Sequence, residues 1–421
     1  KMRKIIVRGP ALSRSGYGEQ TRFALRSLRA YEDEFDIFLV NTNWGHTGWD
    51  WEDTEERRWV DEVITKTHVY MQGGGGFDMS LQITIPNEWE RLAPINIGYT
   101  AGIETTKVSP QWIEKSMLMD RIIVVSNHAK EVYLGTTYEA QNKETGELNK
   151  DFRCKTPIEV VNYPVRNYES VDLDIELEHD FNFLVVAQMS PRKNLEKTIR
   201  WIMEEFYDQE IGLVLKCNIK TDCIFDRTEF TNSLRRLLSE YKDRKCSVYL
   251  LHGAMKAEEI NSLYQHPKIK ALVSLTHGEG FGLPLFEAAY NGLPVITSPW
   301  SGHCDFLFVP TKDKNGKEKK RACFAKVNYV LKPVQKEAVW DGVVQKDSMW
   351  CYPEQGSFKM KARKLYKEYH IFKKLAKKLQ KWVLKEFTEE KQYKKFVDFI
   401  RGEDAASQED INEWFDRVSV N

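Results

Sequence analysis

Short apolar runs alternate with amphipathic segments along most of this 421-residue chain, and the alternation is played through twice. In the first series residues 4–8 read as a strand, 9–18 as a loop, 19–28 as an amphipathic helix and 35–40 as the next strand. Further strand signals follow at 81–85, 95–99, 121–125 and 158–161, with Ser126 placed to cap a helix. A second series starts at Phe181, with strands at 183–187, 212–216, 247–251, 271–275 and 294–297. Helical segments lie between them at 195–206, 228–241, 258–264 and 284–290. Strands separated by helices make crossover connections, so each series predicts an α/β domain around a largely parallel sheet. The length exceeds what one ordinary core organises, which agrees with two domains.

The boundary is expected between residues 162 and 180, where Asn162, Pro164 and Asn167 break the pattern and acidic residues follow. The expected division is 1–165, 166–385 and a C-terminal helical segment 386–421. Residues 136–156 read as an exposed hairpin or loop, and 312–321 as a basic surface loop. From 358 to 400 the chain is helical and lysine-rich, with Leu365, Tyr369, Phe372, Leu375, Leu379, Trp382 and Phe387 at helical spacing. Such a helix can lie on a membrane surface. The preferred reading lays its apolar side on the domains and its lysines in water.

Lys+Arg and Asp+Glu each number 62, so the formal net charge is zero, which argues against a dedicated nucleic-acid binder. No apolar run approaches a membrane span and no secretory signal is recognisable. Lys1 reads as an added residue before a natural start at Met2. The seven cysteines are odd in number and contain no C-x-x-C, which favours a reducing, cytoplasmic setting. His252, His277, His303 and Cys304 match no usual zinc spacing, so no metal site is expected.

The chemistry concentrates in residues 276–296, THGEGFGLPLFEAAYNGLPVI. An apolar run at 269–275 precedes the glycine turn and a helix at 284–290 follows it, with Glu279 on the turn and Glu287 inside the helix. The low bulk at Gly280, Phe281, Gly282 and Leu283 lets amides at the helix start approach an anion or a sugar. Ionised carboxylates suit hydroxyl-rich ligands. Neither the dinucleotide nor the P-loop fingerprint is met. A second place is 188–194, where Gln188 ends a strand and Arg192 and Lys193 precede a helix. Two cations against a helix start oppose its dipole, which points to a phosphate site. A third is SRSGYG, residues 13–18, with Gly16 and Gly18 beyond the carboxyl end of the first strand, where open α/β sheets bind ligands. Gly73 to Gly76 read as a mobile loop, and Asp172 and Asp174 as surface. Trp44, Trp49, Trp51 and Trp59 read equally as a stacking platform or as packing.

Taken together, HGEGFGLPLFEA with its E-x7-E spacing, the 183–307 region and the looser 102–131 stretch resemble retaining glycosyltransferases of the sucrose-synthase/mannosyltransferase type, family 4. The resemblance implies the GT-B fold: two Rossmann-like domains facing across a cleft, with a C-terminal helix crossing back to the first domain. It implies a nucleotide-diphosphate sugar as donor, no cofactor and no metal. Glu287 would hold the ribose and Glu279 the transferred sugar. The amides around Gly280, Phe281, Gly282 and Leu283 would hold hydroxyls and phosphate. Lys193 would neutralise the leaving diphosphate, and Gly16 and Gly18 would approach from the other domain. Gln188 stands where that family usually has an arginine, a charge that Arg192 or Arg14 could supply. The acceptor stays open among glycan, lipid, protein and modified nucleic-acid base. Two rival functions are a phosphorylase or sugar-phosphate synthase on the same fold, and a nucleotide-sugar-binding protein with decayed catalysis.

Overall fold

The computed structural model describes residues 2–402. Two six-stranded sheets form the frame. In the first, the strands run in the spatial order Ile158–Val160, Arg121–Val124, Ile95–Thr100, Met79–Ile83, Arg3–Gly9 and Phe35–Asn41, all parallel. In the second, the order is Ser247–Leu251, Gly212–Asn218, Asn182–Gln188, Ile269–Ser274, Val295–Thr297 and Ala325–Lys326, again all parallel. Strands buried on both faces need apolar residues at consecutive positions, and Ile5, Val7, Leu81, Ile97, Leu213 and Val214 are all fully buried.

The second sheet has the spatial order 3-2-1-4-5-6 when its strands are numbered along the chain. Its order reverses between Asn182–Gln188 and Ile269–Ser274, where connections leave in opposite directions and a crevice opens at the strand ends. The first sheet reverses between Arg3–Gly9 and Met79–Ile83. The two α/β domains of a GT-B fold are therefore present, each with its switch point.

The lysine-rich C-terminal region divides into helices Gln355–Lys367, Tyr369–Glu386 and Glu389–Arg401. The middle one buries Phe372, Ala376, Leu379 and Val383 and packs on the helix Leu283–Tyr290 of the second domain. The last crosses back: Phe396 meets Phe23 at 5.4 Å and Tyr99 at 5.2 Å, centroid to centroid, in the first domain. The chain thus passes between domains twice, and the passages are bonded to each other. Val165 N–H donates to the Phe387 carbonyl (2.7 Å), and the Gln392 amide donates to the Asn162 carbonyl (2.9 Å). Positions 403–421 of the expected C-terminal segment lie outside the described residues.

Several local readings hold and others change. Ser126 caps its helix by accepting from the Ala129 N–H, and the 136–156 insertion is an antiparallel hairpin. The basic stretch 312–321 is not a loop: it forms most of a second hairpin, Phe308–Lys312 against Glu318–Ala322. The glycines at 73–76 close a turn around an aromatic ring, since a Cβ on Gly75 would lie 2.2 Å from the Tyr70 ring. The four tryptophans do not gather into one platform. Trp44 packs on Tyr17, Trp51 lies under Arg14 and Trp59 under Arg29.

Candidate functional site

At the switch point of the second sheet, the segment after Asn182–Gln188 and the glycine turn after Ile269–Ser274 are stitched together. A short turn, Pro191–Lys193, leads into the helix Leu195–Glu205 through Asn194, whose φ of 55° is left-handed. Asparagine tolerates that conformation better than most residues. Its side-chain amide donates to the Leu275 carbonyl (3.0 Å), and the His277 N–H donates to the Arg192 carbonyl (2.9 Å). These bonds bring Arg192 and Lys193 onto the turn that carries Glu279.

Glu279 is buried. Lys193 Nζ donates to its Oε1 at 2.7 Å, and Arg192 donates to its Oε2 at 3.0 Å and to the Gly278 carbonyl at 2.8 Å. Burial alone would raise the carboxyl pKa, but Lys193 and Arg192 outweigh it and hold it at about 2. Burial lowers the Lys193 ammonium against the pull of Glu279, whereas for Arg192 the carboxylates of Glu279 and Glu104 win over burial and raise it. Both cations are therefore held by carboxylates at close range.

The backbone of the turn is fixed as tightly. The Glu279 N–H donates to Ser301 Oγ (2.8 Å), and its carbonyl accepts from the Gly302 N–H (2.9 Å). Ser301 adopts φ 83°, a strained conformation for a non-glycine residue. Gly302 is obligatory by contact, because a Cβ there would sit 1.9 Å from the Gly280 carbonyl oxygen. Gly282 begins the helix Leu283–Tyr290 with φ 93°. Phe281 is buried, its ring 5.0 Å from Tyr163 of the first domain.

Glu287 lies inside that helix and faces the first domain. Burial pushes its carboxyl up to about 8, with the charge of Glu19 adding to the rise. Glu19 itself is held at about 2, because Arg26 and Arg22 outweigh its own burial. Gly16 is exposed at the start of the helix Gly16–Arg29, while Gly18 is buried, its N–H donating to Ser15 Oγ and its Cα resting on the Ser13 carbonyl. Gln188 is exposed at its strand end and has no side-chain hydrogen bond among the described residues. Arg192 is turned to Glu279 and Glu104, and Arg14 to the Met255 carbonyl (3.2 Å) and Trp51, so neither guanidinium lies free in place of the missing arginine.

Glu104 escaped the sequence reading, and His303 and His277, weighed there only as zinc ligands, pack around the turn instead. Glu104, from the first domain, lies 3.7 Å from Arg192 Nε. His303, buried close to Glu279, donates Nε2–H to the Ser298 carbonyl (2.7 Å), and burial lowers its pKa. His277 stacks on Trp350 with an 11° interplanar angle and donates Nδ1–H to the Cys351 carbonyl (2.6 Å). The two histidines, with His252 paired to Asp226, each have a separate partner, and among the described residues no three His, Cys, Asp or Glu side chains gather as for a metal. Asp172 and Asp174 are exposed on the interdomain linker.

The chain is similar to known proteins in one region of its sequence and in its fold. Residues 175–316 match the model of the family described as glycosyl transferases group 1. Sucrose-phosphate synthase from Thermosynechococcus elongatus superposes with a TM-score of 0.59 at 14% identity, over 96% of this chain and 100% of that one. HepE from Anabaena, solved with UDP and glucose, gives 0.56 at 11% identity over 95% and 99% of the two chains. A glycosyltransferase from Rickettsia africae gives 0.54 at 13% identity over 95% and 98%. At these identities the likeness is one of fold. No curated protein matches the chain significantly.

Proposed function

We propose that the protein is a retaining glycosyltransferase that moves a sugar from a nucleotide-diphosphate sugar to an acceptor hydroxyl without a metal ion. The observation that carries this reading is the Lys193–Glu279 pair at the sheet's switch point, facing the other domain. Departure of a nucleoside diphosphate develops negative charge, and a fixed ammonium with helix-start amides aimed at that charge lowers the barrier. Lys193 is paired with Glu279. A diphosphate competes for that ammonium and leaves Glu279 able to accept from hydroxyls of the transferred sugar. Glu287 serves the ribose, and Gly16 lies at a helix N-terminus on the opposite wall. A retaining transfer of this type does not require the paired carboxylates of hydrolases.

The UDP and glucose bound by HepE make UDP-glucose the first probe, with GDP-mannose and UDP-N-acetylglucosamine beside it. Release of free sugar and transfer to a panel of hydroxyl acceptors are followed together, in the presence of a chelator. Lys193→Ala and Glu279→Ala are each expected to cut turnover about 10²–10³-fold. Near-normal turnover in both variants would sink the assignment, and loss of activity on chelation would remove metal independence. Binding of UDP with no turnover of any donor would point instead to a binding protein, the reading that Gln188 favours.

A further inference from the structure

Glu104 belongs to the first domain, yet its surroundings are those of the second domain's glycine turn. Its carboxylate lies 3.7 Å from Arg192 Nε, and the same guanidinium donates to Glu279 at 3.0 Å and to the Gly278 carbonyl at 2.8 Å. The backbone approaches as closely. A Cβ on Gly278 would fall 2.3 Å from the Glu104 carbonyl oxygen, and one on Gly280 would fall 2.8 Å from the Ala101 carbonyl oxygen. Two glycines of the turn are therefore shaped to receive this loop of the opposite domain.

The loop is held from its other side too. The Thr106 N–H donates to the Met349 carbonyl (2.9 Å), the Met349 N–H donates to Thr106 Oγ1 (2.9 Å), and Ser109 Oγ donates to the Gly342 carbonyl (2.7 Å). Met349 belongs to the strand pair Tyr329–Pro333 and Met349–Pro353, which also carries Cys351, the partner of His277. The loop 101–109 thus docks on two parts of the second domain that meet at residues 276–279.

We propose that Glu104 is a positioning residue for the transfer reaction, a role that rests on the glycosyltransferase reading above. It holds Arg192 from across the cleft, and Arg192 in turn holds Glu279 and the Gly278 carbonyl. Glu279, held by Lys193 and Arg192 of its own domain, then gains a further constraint through Arg192 when the two domains are together. Glu104, Arg192, Glu279 and Lys193 form a chain of alternating charge with no net charge. Arg192 acts in this chain as a strut between carboxylates, and the charge of the leaving diphosphate falls on Lys193 and the amides. Opposite charges this close in a partly buried cleft interact more strongly than fully exposed surface pairs.

The test uses the full-length protein with Glu104→Gln, Glu104→Asp, Arg192→Gln and the double variant Glu104→Gln/Arg192→Gln. Three quantities are measured: UDP affinity by calorimetry, kcat and KM for UDP-glucose turnover, and amide hydrogen exchange in residues 190–194 and 276–282. Glu104→Gln is expected to lower kcat about tenfold or more while the UDP Kd stays within about twofold. Glu104→Asp should recover part of the loss, and the double variant should be no worse than Arg192→Gln alone. Exchange in 276–282 should rise about tenfold in Glu104→Gln. Unchanged kcat with unchanged exchange, or losses that multiply in the double variant, would overturn the proposal. Wild-type protein that turns over no donor would remove the glycosyltransferase reading, and the exchange comparison would still decide whether Glu104 holds the turn.

Discussion

Glu287 offers the sharpest physical test, because its carboxyl is raised from 4.5 to about 8 by burial, with Glu19 adding to it. Between those values the folded protein keeps a proton that the unfolded chain has released. The stability this contributes is fully present below pH 4.5 and is lost as pH rises through about 8. Each pH unit in the window costs ~1.4 kcal/mol, so the whole gap comes to about 5 kcal/mol. Over the measured range, from pH 5 upward, about 4 kcal/mol of it is read. Glu287→Gln keeps the shape and removes the titration. Urea unfolding of both proteins, compared pairwise at steps from pH 5 to pH 9, should show the variant gaining on the wild type by that amount up to about pH 8 and no further. A difference that stays flat, or that grows toward acid, would mean that Glu287 is ionised at neutrality and would refute the reasoning. The same carboxyl must ionise to accept from both ribose hydroxyls, so UDP affinity should rise with pH up to about 8 in the wild type and stay level in the variant.

Three further outcomes follow from contacts already described. Gly302→Ala drives a methyl group into the Gly280 carbonyl, with only backbone to yield, and should cost about 1–3 kcal/mol in chemical denaturation. It should also lower turnover about 10²-fold by shifting Glu279. Ser15→Ala removes the side-chain cap of the helix Gly16–Arg29 and should cost about 1 kcal/mol of stability, with the Gly18 N–H exchanging faster. Asp305→Ala deletes the acceptor shared by the Asn127 N–H and the Asn162 amide (both 2.9 Å), so small-angle scattering should record a larger radius of gyration than for the wild type.

The elements legible in the sequence were those written in local pattern. Continuous apolar runs marked the parallel strands, Ser126 marked a helix start, and the glycines at 278, 280 and 282 marked the turn after Ile269–Ser274. The proximity of Lys193 to Glu279 was legible only through resemblance, because 86 residues separate them and no spacing rule relates them. Glu104 carried no signal: in GIETTKVS it is one acidic residue among polar ones, and its partner exists only once the domains meet. The basic run 312–321 misled because its alternation is polar on both faces, and an exposed hairpin leaves no apolar imprint. Gly18 resembled a ligand-facing glycine, but its missing Cβ serves the Ser13 carbonyl, a contact that depends on how the loop folds over itself.

The two interdomain passages, tied by the Val165–Phe387 bond, fix how the molecule can open. Connections bonded side by side leave one pivot, and motion reduces to rotation about it. The last helix, Glu389–Arg401, is anchored to Glu34 through Arg401 and travels with the first domain as ballast. Rotation would part the loop 101–109 from the glycine turn and Glu104 from Arg192, while the Lys193–Glu279 pair, inside the second domain, stays made.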